Sequence, residues 1–199
     1  MSELNPKETA IFAMHMQGDI VGEGTAFGAL FYPEVARGNI VENVNEALKT
    51  VRNAGGQVFA MRVAWAPDYS DMQADLPLLQ MAAGAGALKE GSEGAALVAG
   101  IELGENDVIW THKRTSPFTE NDLLEQLRKR GIKNVVVCGV ATNASVESAV
   151  RQAADNHFNT FVLSYCSSTT DENTHTVSLG SMGLFAQAIT HAELAEKLS

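Results

Sequence analysis

The chain alternates apolar runs with helical patterns along most of its length, and this alternation limits the folds that it can adopt. The apolar runs predict five strands, at residues 9–16, 57–65, 107–112, 133–140 and 159–166. A short further strand is predicted at residues 188–189. Such alternation is typical of a parallel sheet with right-handed crossovers. We therefore predict an α/β fold, a three-layer α/β/α sandwich with a central, mainly parallel, Rossmann-like sheet, in a single domain over residues 1–199.

Two of the predicted helices carry terminal signals. The first has Asn39 as its N-cap, Glu42 to complete a capping box, and Gly55 at its end. The second has Thr119 as its N-cap, basic residues in its last turn, and Gly131 after it. Both patterns predict amphipathic helices between strands.

Residues 66–104 interrupt the alternation with Pro, Gly and short apolar patches. An irregular insertion of this length is often a lid or a substrate loop. A surface excursion that contains a short helix is the alternative. Both hypotheses stay open at this stage.

Composition limits the partners. Hydrophobic residues make up 45% and charged residues 19%, which is typical of a folded globular protein. The formal net charge of -10 and a pI near 4.9 argue against nucleic acid or a membrane surface as partner. No apolar leader or spanning run is present, so we expect a cytoplasmic protein. Neither Cys138 nor Cys166 lies in a zinc-binding pattern, so we expect no metal and no cofactor.

Three chemically active positions fall at one edge of the predicted sheet. Ligands of parallel sheets bind beyond the carboxyl ends of the strands, where His15, His112 and the segment after Val140 lie. Histidine exchanges protons near neutral pH, so both are acid or base candidates. A single histidine at a strand end is more often structural, which is the alternative for each.

Ser145 lies in the first turn of the helix that follows the strand ending at Val140. Free backbone N–H groups and the positive end of the helix dipole would give a nucleophile there an oxyanion hole. Simple capping of the helix is the alternative role. His15, His112 and Ser145 are therefore the catalytic candidates.

Substrate contacts are predicted for five further residues. Arg62 could clamp a carboxylate, although a surface ion pair suits it equally. Trp65 could line a pocket or pack in the core. The others flank the candidate catalytic positions; the full set is Gln17, Arg62, Trp65, Ala141 and Thr142.

The sequence resembles the isochorismatase-like hydrolase superfamily, also called the cysteine hydrolase family. The resemblance covers nearly all of the chain and is carried by "AIFAMHMQGDI", by "KRTSPFTENDLLEQLRKRGIKNVVVCGVAT" and by "SSTTDENTH". It implies a three-layer α/β/α fold, a small-molecule ligand, a homo-oligomer, and a cis peptide bond between Val140 and Ala141.

The resemblance also implies a changed site. Most amidases of the family use an Asp, a Lys and a Cys, and this chain has His15, His112 and Ser145 at those positions. Lys113 would match the Lys only if the loop shifts by one residue. The resemblance does not extend to the Asp-x-His pair that holds the metal of the nicotinamidase branch.

Two functional hypotheses follow. The first is a hydrolase with a non-standard His/His/Ser site that acts on an amide, an ester or a vinyl ether. In one form Ser145 is the nucleophile, and in another His15 alone acts on a bound water. The second hypothesis is a catalytically inactive family member that binds a small molecule or a partner chain.

Overall fold

A computed structural model describes residues 3–199 of the chain. A short 3-10 turn, Pro6–Glu8, precedes the first strand. The elements then follow in chain order: β1 Thr9–Met14, α1 Gly18–Val21, α2 Gly28–Arg37, α3 Ile40–Ala54, β2 Gln57–Val63, α4 Pro77–Gly84, β3 Val108–His112, α5 Leu123–Lys129, β4 Asn134–Val140, a π-helical turn Thr142–Val146, α6 Glu147–Asp155, β5 Asn159–Ser168, α7 Glu172–Met182, β6 Gln187–Ile189 and α8 His191–Lys197.

The strands form one sheet in the order β3-β2-β1-β4-β5-β6. Every pairing is parallel, which confirms the predicted fold class. The chain starts in the middle of the sheet, moves outward to β3, and then crosses to the other side of β1 at β4. The carboxyl ends of β1 and β4 therefore meet where the strand order reverses, which is the usual place for a ligand site in such a sheet.

The central strand β1 is buried on both faces, which explains its continuous apolar sequence. Phe12 and Met14 pack into one apolar core with helices α5 and α6. Ile11 and Ala13 point the other way, into a second core with helix α3. The two cores make the three layers, because alternate residues of a strand face opposite sides of the sheet.

Helix α2, Gly28–Arg37, had no strong signal in the sequence. It contains Pro33 in its interior, where proline normally weakens a helix. The predicted capping box at Asn39 is wrong, because Asn39 adopts a left-handed conformation and its side chain caps nothing. The predicted N-cap at Thr119 is also wrong, since α5 begins only at Leu123.

The segment between β2 and β3 is irregular, as the sequence predicts, and it contains only the short helix α4. Leu79, Ala82 and Leu88 of this segment are buried. The segment packs over the carboxyl edge of the sheet rather than standing away from it. In residues 3–199 we find no helix with the length and apolar character that crossing a membrane requires.

Candidate active site

The site lies where β1 and β4 end side by side. Gly139 in β4 has a positive φ of 109°, and a Cβ at this position would lie 2.2 Å from the Met14 carbonyl oxygen. Only glycine permits this approach of the two backbones. The peptide bond between Val140 and Ala141 is cis, as the resemblance implied. The chain then enters the π-helical turn that carries Ser145.

His15 and His112 contact each other directly. Their Nε2 atoms lie 3.1 Å apart, although the residues are far apart in sequence. The ring centroids are 5.0 Å apart, so the rings meet edge to edge, as a hydrogen bond requires. His15 follows β1 and has a positive φ of 52°. Its backbone N–H donates to the Met61 carbonyl oxygen at 2.9 Å. His112 is the last residue of β3. Both side chains are buried.

The hydrogen bonds of the pair determine its tautomers. His112 Nδ1 lies 2.8 Å from the Arg114 carbonyl oxygen, which can only accept, so Nδ1 carries the proton. In the neutral ring, His112 Nε2 is then the acceptor, and His15 Nε2–H is the donor between the two rings. The remaining nitrogen of His15, Nδ1, is left as an acceptor. Within the described residues it has no hydrogen-bond partner.

Burial keeps both histidines neutral. Loss of solvation, with a smaller effect of the neighbouring His112, lowers the pKa of His15 well below its usual value. Loss of solvation also lowers the pKa of His112 to about 4, although the hydrogen bond to Arg114 acts in the opposite direction. At neutral pH, the pair therefore offers one free base nitrogen and no charge.

Ser145 lies near the histidines but is not bonded to them. Its Oγ donates to the Val140 carbonyl oxygen at 2.8 Å, and the side chain is buried. Because its only proton is used in this way, Oγ can act toward the site only as an acceptor. Among the described residues, no histidine hydrogen-bonds to Oγ to take its proton, which a serine nucleophile requires.

His15 and Ser145 line the same cavity, which has a volume of about 80 Å³. The rest of its wall is mostly apolar and comes from α1, α2, the π turn, the strand ends and the 66–104 segment. Phe27, Leu79 and Leu88 are among these side chains. The pocket is therefore small and mostly apolar, with few polar groups in its wall. His112 lies behind His15 and does not line it.

Trp65 is a cavity residue with an unusual feature. Its side chain is 2% exposed and lines the pocket. Its backbone N–H donates to the Leu88 carbonyl oxygen at 3.0 Å, which connects the end of β2 to the 66–104 segment. Its indole Nε1 is buried and has no hydrogen-bond partner in the described structure.

Gln17 and Arg62 lie outside this cavity. The Gln17 amide is fully used by backbone groups: Nε2 donates to the Val63 and Ala95 carbonyls, and Oε1 accepts from the Val63 N–H, each at 2.8 Å. It joins the strand ends to the long segment. Arg62 pairs with Glu90 at 2.9 Å and donates to Thr111. Neither side chain is free to reach a ligand in the cavity.

Ala141 lines the cavity directly behind the cis peptide bond. Thr142 does not line it, because its hydroxyl lies 2.8 Å from His175 Nδ1. The structure therefore brings together four of the predicted site residues around the cavity, namely His15, Trp65, Ala141 and Ser145. His112 supports them from behind.

Sequence reasoning missed the polar rim of the cavity. Arg114 lines the pocket and pairs with Asp75, with Nη1 and Oδ1 at 2.7 Å. Its neighbour Lys113, which points away from the cavity lining, pairs with Asp71. These two pairs hold the segment before α4 against the loop after β3. The adjacent basic residues were the signal in the sequence, but their acidic partners could not be paired without the fold.

The described residues hold no group of three or more His, Cys, Asp or Glu that is placed to bind a metal ion. Cys138 and Cys166 are free, buried and absent from the cavity lining. Burial raises the pKa of the Cys166 thiol to about 12, so it carries little thiolate.

Comparisons with known proteins agree with this architecture. A family model described as "Isochorismatase domain" matches residues 9–193. The chain is 30% identical over 184 residues to the isochorismatase family protein YecD of Escherichia coli O157:H7, covering 90% of this chain and 89% of that protein. It is 28% identical over 162 residues to the ureidoacrylate amidohydrolase RutB of Rhizobium rhizogenes, covering 75% of this chain and 66% of that enzyme.

Solved structures show the same fold. A cysteine hydrolase from Pseudomonas syringae pv. phaseolicola superposes with a TM-score of 0.86 at 23% identity, covering 100% of this chain and 95% of that one. An isochorismatase family protein from Burkholderia thailandensis gives 0.81 at 27% identity, covering 100% and 98%. On the family model and on the similarity to YecD, this chain belongs to the isochorismatase family.

Proposed function

We propose that this protein hydrolyses a small molecule in the cavity between His15 and Trp65, with His15 as the base that activates water. The observation that carries the proposal is the chain of hydrogen bonds from the Arg114 carbonyl through His112 to His15, from which the tautomer of His15 follows. Its Nε2–H is bound to His112, which leaves Nδ1 as a free acceptor on a residue of the cavity wall. A base that is neutral at physiological pH and faces a pocket suits general base catalysis.

The reaction is written for an amide. A water molecule gives one proton to His15 Nδ1 while its oxygen bonds to the carbonyl carbon, and the carbonyl electrons move to the carbonyl oxygen. Collapse of this intermediate breaks the C–N bond, and the leaving nitrogen takes the proton back from His15 Nδ1. The products are a carboxylic acid and an amine. His112 accepts the Nε2–H bond throughout and stabilises the positive charge on the His15 ring.

Ser145 positions the water in this scheme. Its proton is used by the Val140 carbonyl, so Oγ offers lone pairs to a water proton. A water that donates to both Ser145 Oγ and His15 Nδ1 keeps its own lone pair for the substrate. The alternative in which Ser145 is the nucleophile requires its hydroxyl to leave Val140 and turn toward a histidine.

Amides come first among the substrate classes. The relative RutB is an amidohydrolase by name, at 28% identity. Esters follow the same scheme with an alcohol as leaving group. Vinyl ethers need protonation at carbon, for which a base of lowered pKa has to be protonated first.

A non-catalytic binding protein is the second candidate function. The observation that favours it is the arrangement of Ser145 and the histidines, since within the described residues no acidic side chain hydrogen-bonds to either ring. Such a protein would use the same apolar cavity to hold a ligand without turning it over.

The test is a screen of small amides, esters and vinyl ethers with the native protein and the variant His15→Ala. Turnover by the native protein and a loss of at least about 100-fold in the variant are expected, because general base catalysis contributes that much. The variant His157→Asn is the control. His157 is exposed, precedes β5 at the opposite edge of the sheet, and has a positive φ that asparagine tolerates. Equal turnover by native protein and His15→Ala would overturn the proposal.

A further inference from the structure

The cavity has a polar side and an apolar side. Of the described residues that line it, the polar ones all come from the carboxyl edge of the sheet: His15, Arg114, Thr115 and Ser145. Helices α1, α2 and α4, with the residue just before α2, supply apolar lining residues, namely Ile20, Phe27, Phe31, Leu78, Leu79 and Ala82. A ligand with one polar end and one apolar end therefore has a preferred orientation in this cavity.

The apolar side continues from the interior to the surface. Leu79 of α4 is 4% exposed, whereas its neighbour Leu78 is 41% exposed and still lines the cavity. Phe31 of α2 also lines the cavity and is partly exposed. Leu30 and Met81, on the same two helices, are exposed as well. Exposed apolar side chains that continue the wall of a cavity are typical of a ligand groove.

The size of the cavity explains why the mouth matters. An apolar cavity of roughly 150 Å³ holds benzene, and this one has about 80 Å³. Its buried part therefore takes only a short hydrocarbon chain. A longer chain has to leave past Phe31 and Leu78, where it stays in contact with apolar side chains.

The charge of the lining favours a neutral ligand. Of the described residues that line the cavity, only Arg114 is charged at neutral pH. Both of its terminal nitrogens are bonded to the Asp75 carboxylate, Nη1 at 2.7 Å and Nη2 at 3.2 Å. A carboxylate that entered the cavity would lose its hydration without meeting a free cation.

The proposed reaction decides which end of an amide faces the helices. The leaving nitrogen takes a proton from His15 Nδ1, so it has to lie on the polar side of the cavity. The acyl substituent lies on the other side of the carbonyl carbon. It therefore faces the apolar helices.

We infer that the substrate is a neutral amide with an unbranched hydrocarbon acyl chain, which packs on the apolar side of the cavity and leaves it past Phe31 and Leu78. The inference rests on the proposed function, since it takes the same cavity and the same orientation of the amide. It makes Leu78 a residue that determines the preferred chain length.

The experiment compares four compounds. Propionamide and hexanamide differ by three methylene groups of the acyl chain. N-butylacetamide is an isomer of hexanamide that carries its chain on the nitrogen, and propionate is the charged counterpart of propionamide. Their affinities for the whole protein are measured at pH 7 by NMR titration.

Two variants locate the chain. Leu78→Gln makes the mouth of the cavity polar at a position that is exposed enough to tolerate the change. Leu184→Gln is the matched control, because Leu184 is 86% exposed, follows α7, and lies outside the cavity lining. Both substitutions remove one exposed leucine from the surface.

The expected result depends on chain length and on its position. Hexanamide binds the native protein at least about tenfold more tightly than propionamide, because each buried methylene contributes about threefold. N-butylacetamide binds at least about fivefold more weakly than hexanamide, and propionate at least about tenfold more weakly than propionamide. Leu78→Gln weakens hexanamide binding about threefold and leaves propionamide binding within about twofold. Leu184→Gln changes neither affinity.

Three results would overturn the inference. One is hexanamide binding no more tightly than propionamide, or not binding at all. Another is N-butylacetamide matching hexanamide, which would place the chain without regard to the acyl side. The third is an equal loss of hexanamide binding in Leu78→Gln and Leu184→Gln.

The outcome is separate from that of the proposed function. Hexanamide that binds as expected but is not hydrolysed would remove the proposed function and support the binding mode. Hydrolysis of short amides by the native protein, with no effect of chain length on binding, would support the proposed function and overturn this inference.

Discussion

The Nε2 atoms of His15 and His112 share one hydrogen bond at 3.1 Å, and the Arg114 carbonyl fixes its direction. The carbonyl oxygen can only accept a hydrogen bond, so it determines which nitrogen of each ring carries the proton. His112 carries its proton on Nδ1, His15 carries its proton on Nε2, and the free nitrogen of the pair lies on the cavity residue. The proposed chemistry depends on this order.

The tautomers can be measured directly. We expect the 15N spectrum of the native protein at pH 7 to show His15 as the Nε2–H form and His112 as the Nδ1–H form. In His112→Ala the acceptor of His15 Nε2–H is lost, so both tautomers of His15 become populated. A native His15 in the Nδ1–H form would contradict the assignment and the role of the ring as base.

Stability should depend on pH through His112. In the unfolded chain this histidine takes up a proton near pH 6.5, whereas burial lowers its pKa in the folded protein to about 4. Between these values the unfolded state binds more protons, so the free energy of unfolding falls as the pH falls, by on the order of 3 kcal/mol from this group.

The variant His112→Gln removes this effect, together with the smaller effect of His112 on the pKa of His15. We expect the stability of the native protein to fall more steeply between pH 7 and pH 4.5 than that of the variant, as measured by urea denaturation at both values. Contributions of carboxylates are common to the two proteins and cancel. Parallel pH dependences would show that His112 is not buried in its neutral form.

Ser145→Ala distinguishes the two roles of the hydroxyl. If Ser145 only positions water, the variant loses about tenfold in turnover, which is the effect of one hydrogen bond on the barrier. If Ser145 is the nucleophile, the loss reaches about 1000-fold or more. Steady-state kinetics on a substrate from the screen give the answer. A covalent acyl-enzyme detected by mass spectrometry would independently contradict water positioning.

Asp75→Asn should change the charge preference of the cavity. The substitution removes the carboxylate that neutralises Arg114, so a cation becomes available at the rim. Because the Asp75 carboxylate is exposed to solvent, we expect a gain in propionate affinity of at most about fivefold, with propionamide unchanged. Asp71→Asn is the matched control, since it frees Lys113, which does not line the cavity. An equal gain in both variants would point to net charge alone.

Gln17→Met tests the structural role that the hydrogen bonds assign to Gln17. The variant keeps the shape of the side chain but leaves the backbone groups of Val63 and Ala95 without partners. We expect a loss of about 3 kcal/mol in the free energy of unfolding. Asn45→Ala removes two comparable bonds at a partly exposed position and should cost below about 1 kcal/mol. Similar losses of unfolding free energy in the two variants would contradict the structural role of the buried Gln17 hydrogen bonds.

The sequence predicts the fold well because the strands depend on local patterns. β1 and β4 are covered on both faces, so their apolar residues run without interruption and are visible in the sequence. Helix α2 was missed because Pro33 disrupts its local pattern. The helix is stabilised instead by tertiary packing, in which Val35 is buried in the core. Helix ends depend on single side chains and are harder to predict: Asn39 occupies the N-cap position of α3, but its side chain makes no capping hydrogen bond.

The site was only partly predictable for a related reason. The topology of a parallel sheet places His15 and Ser145 at one edge, and this can be inferred from strand order. The hydrogen-bond partner of each polar group cannot be inferred in this way. Ser145 bonds to a carbonyl of its own turn, and Gln17 is consumed by backbone groups of a distant loop. Such choices are made among many neighbours in three dimensions, and the sequence alone does not rank them.

β1 has a hydrogen-bonded neighbour on each side, whereas the facing wall of the cavity is a segment anchored by ion pairs at the surface. Local opening starts in weakly held segments and reaches central strands only when the whole domain unfolds. Amide protons of β1 therefore exchange with solvent on the slowest timescale of the molecule, and those near Asp71 and Asp75 exchange far sooner. Opening of that outer segment would leave the strand that presents the histidine intact.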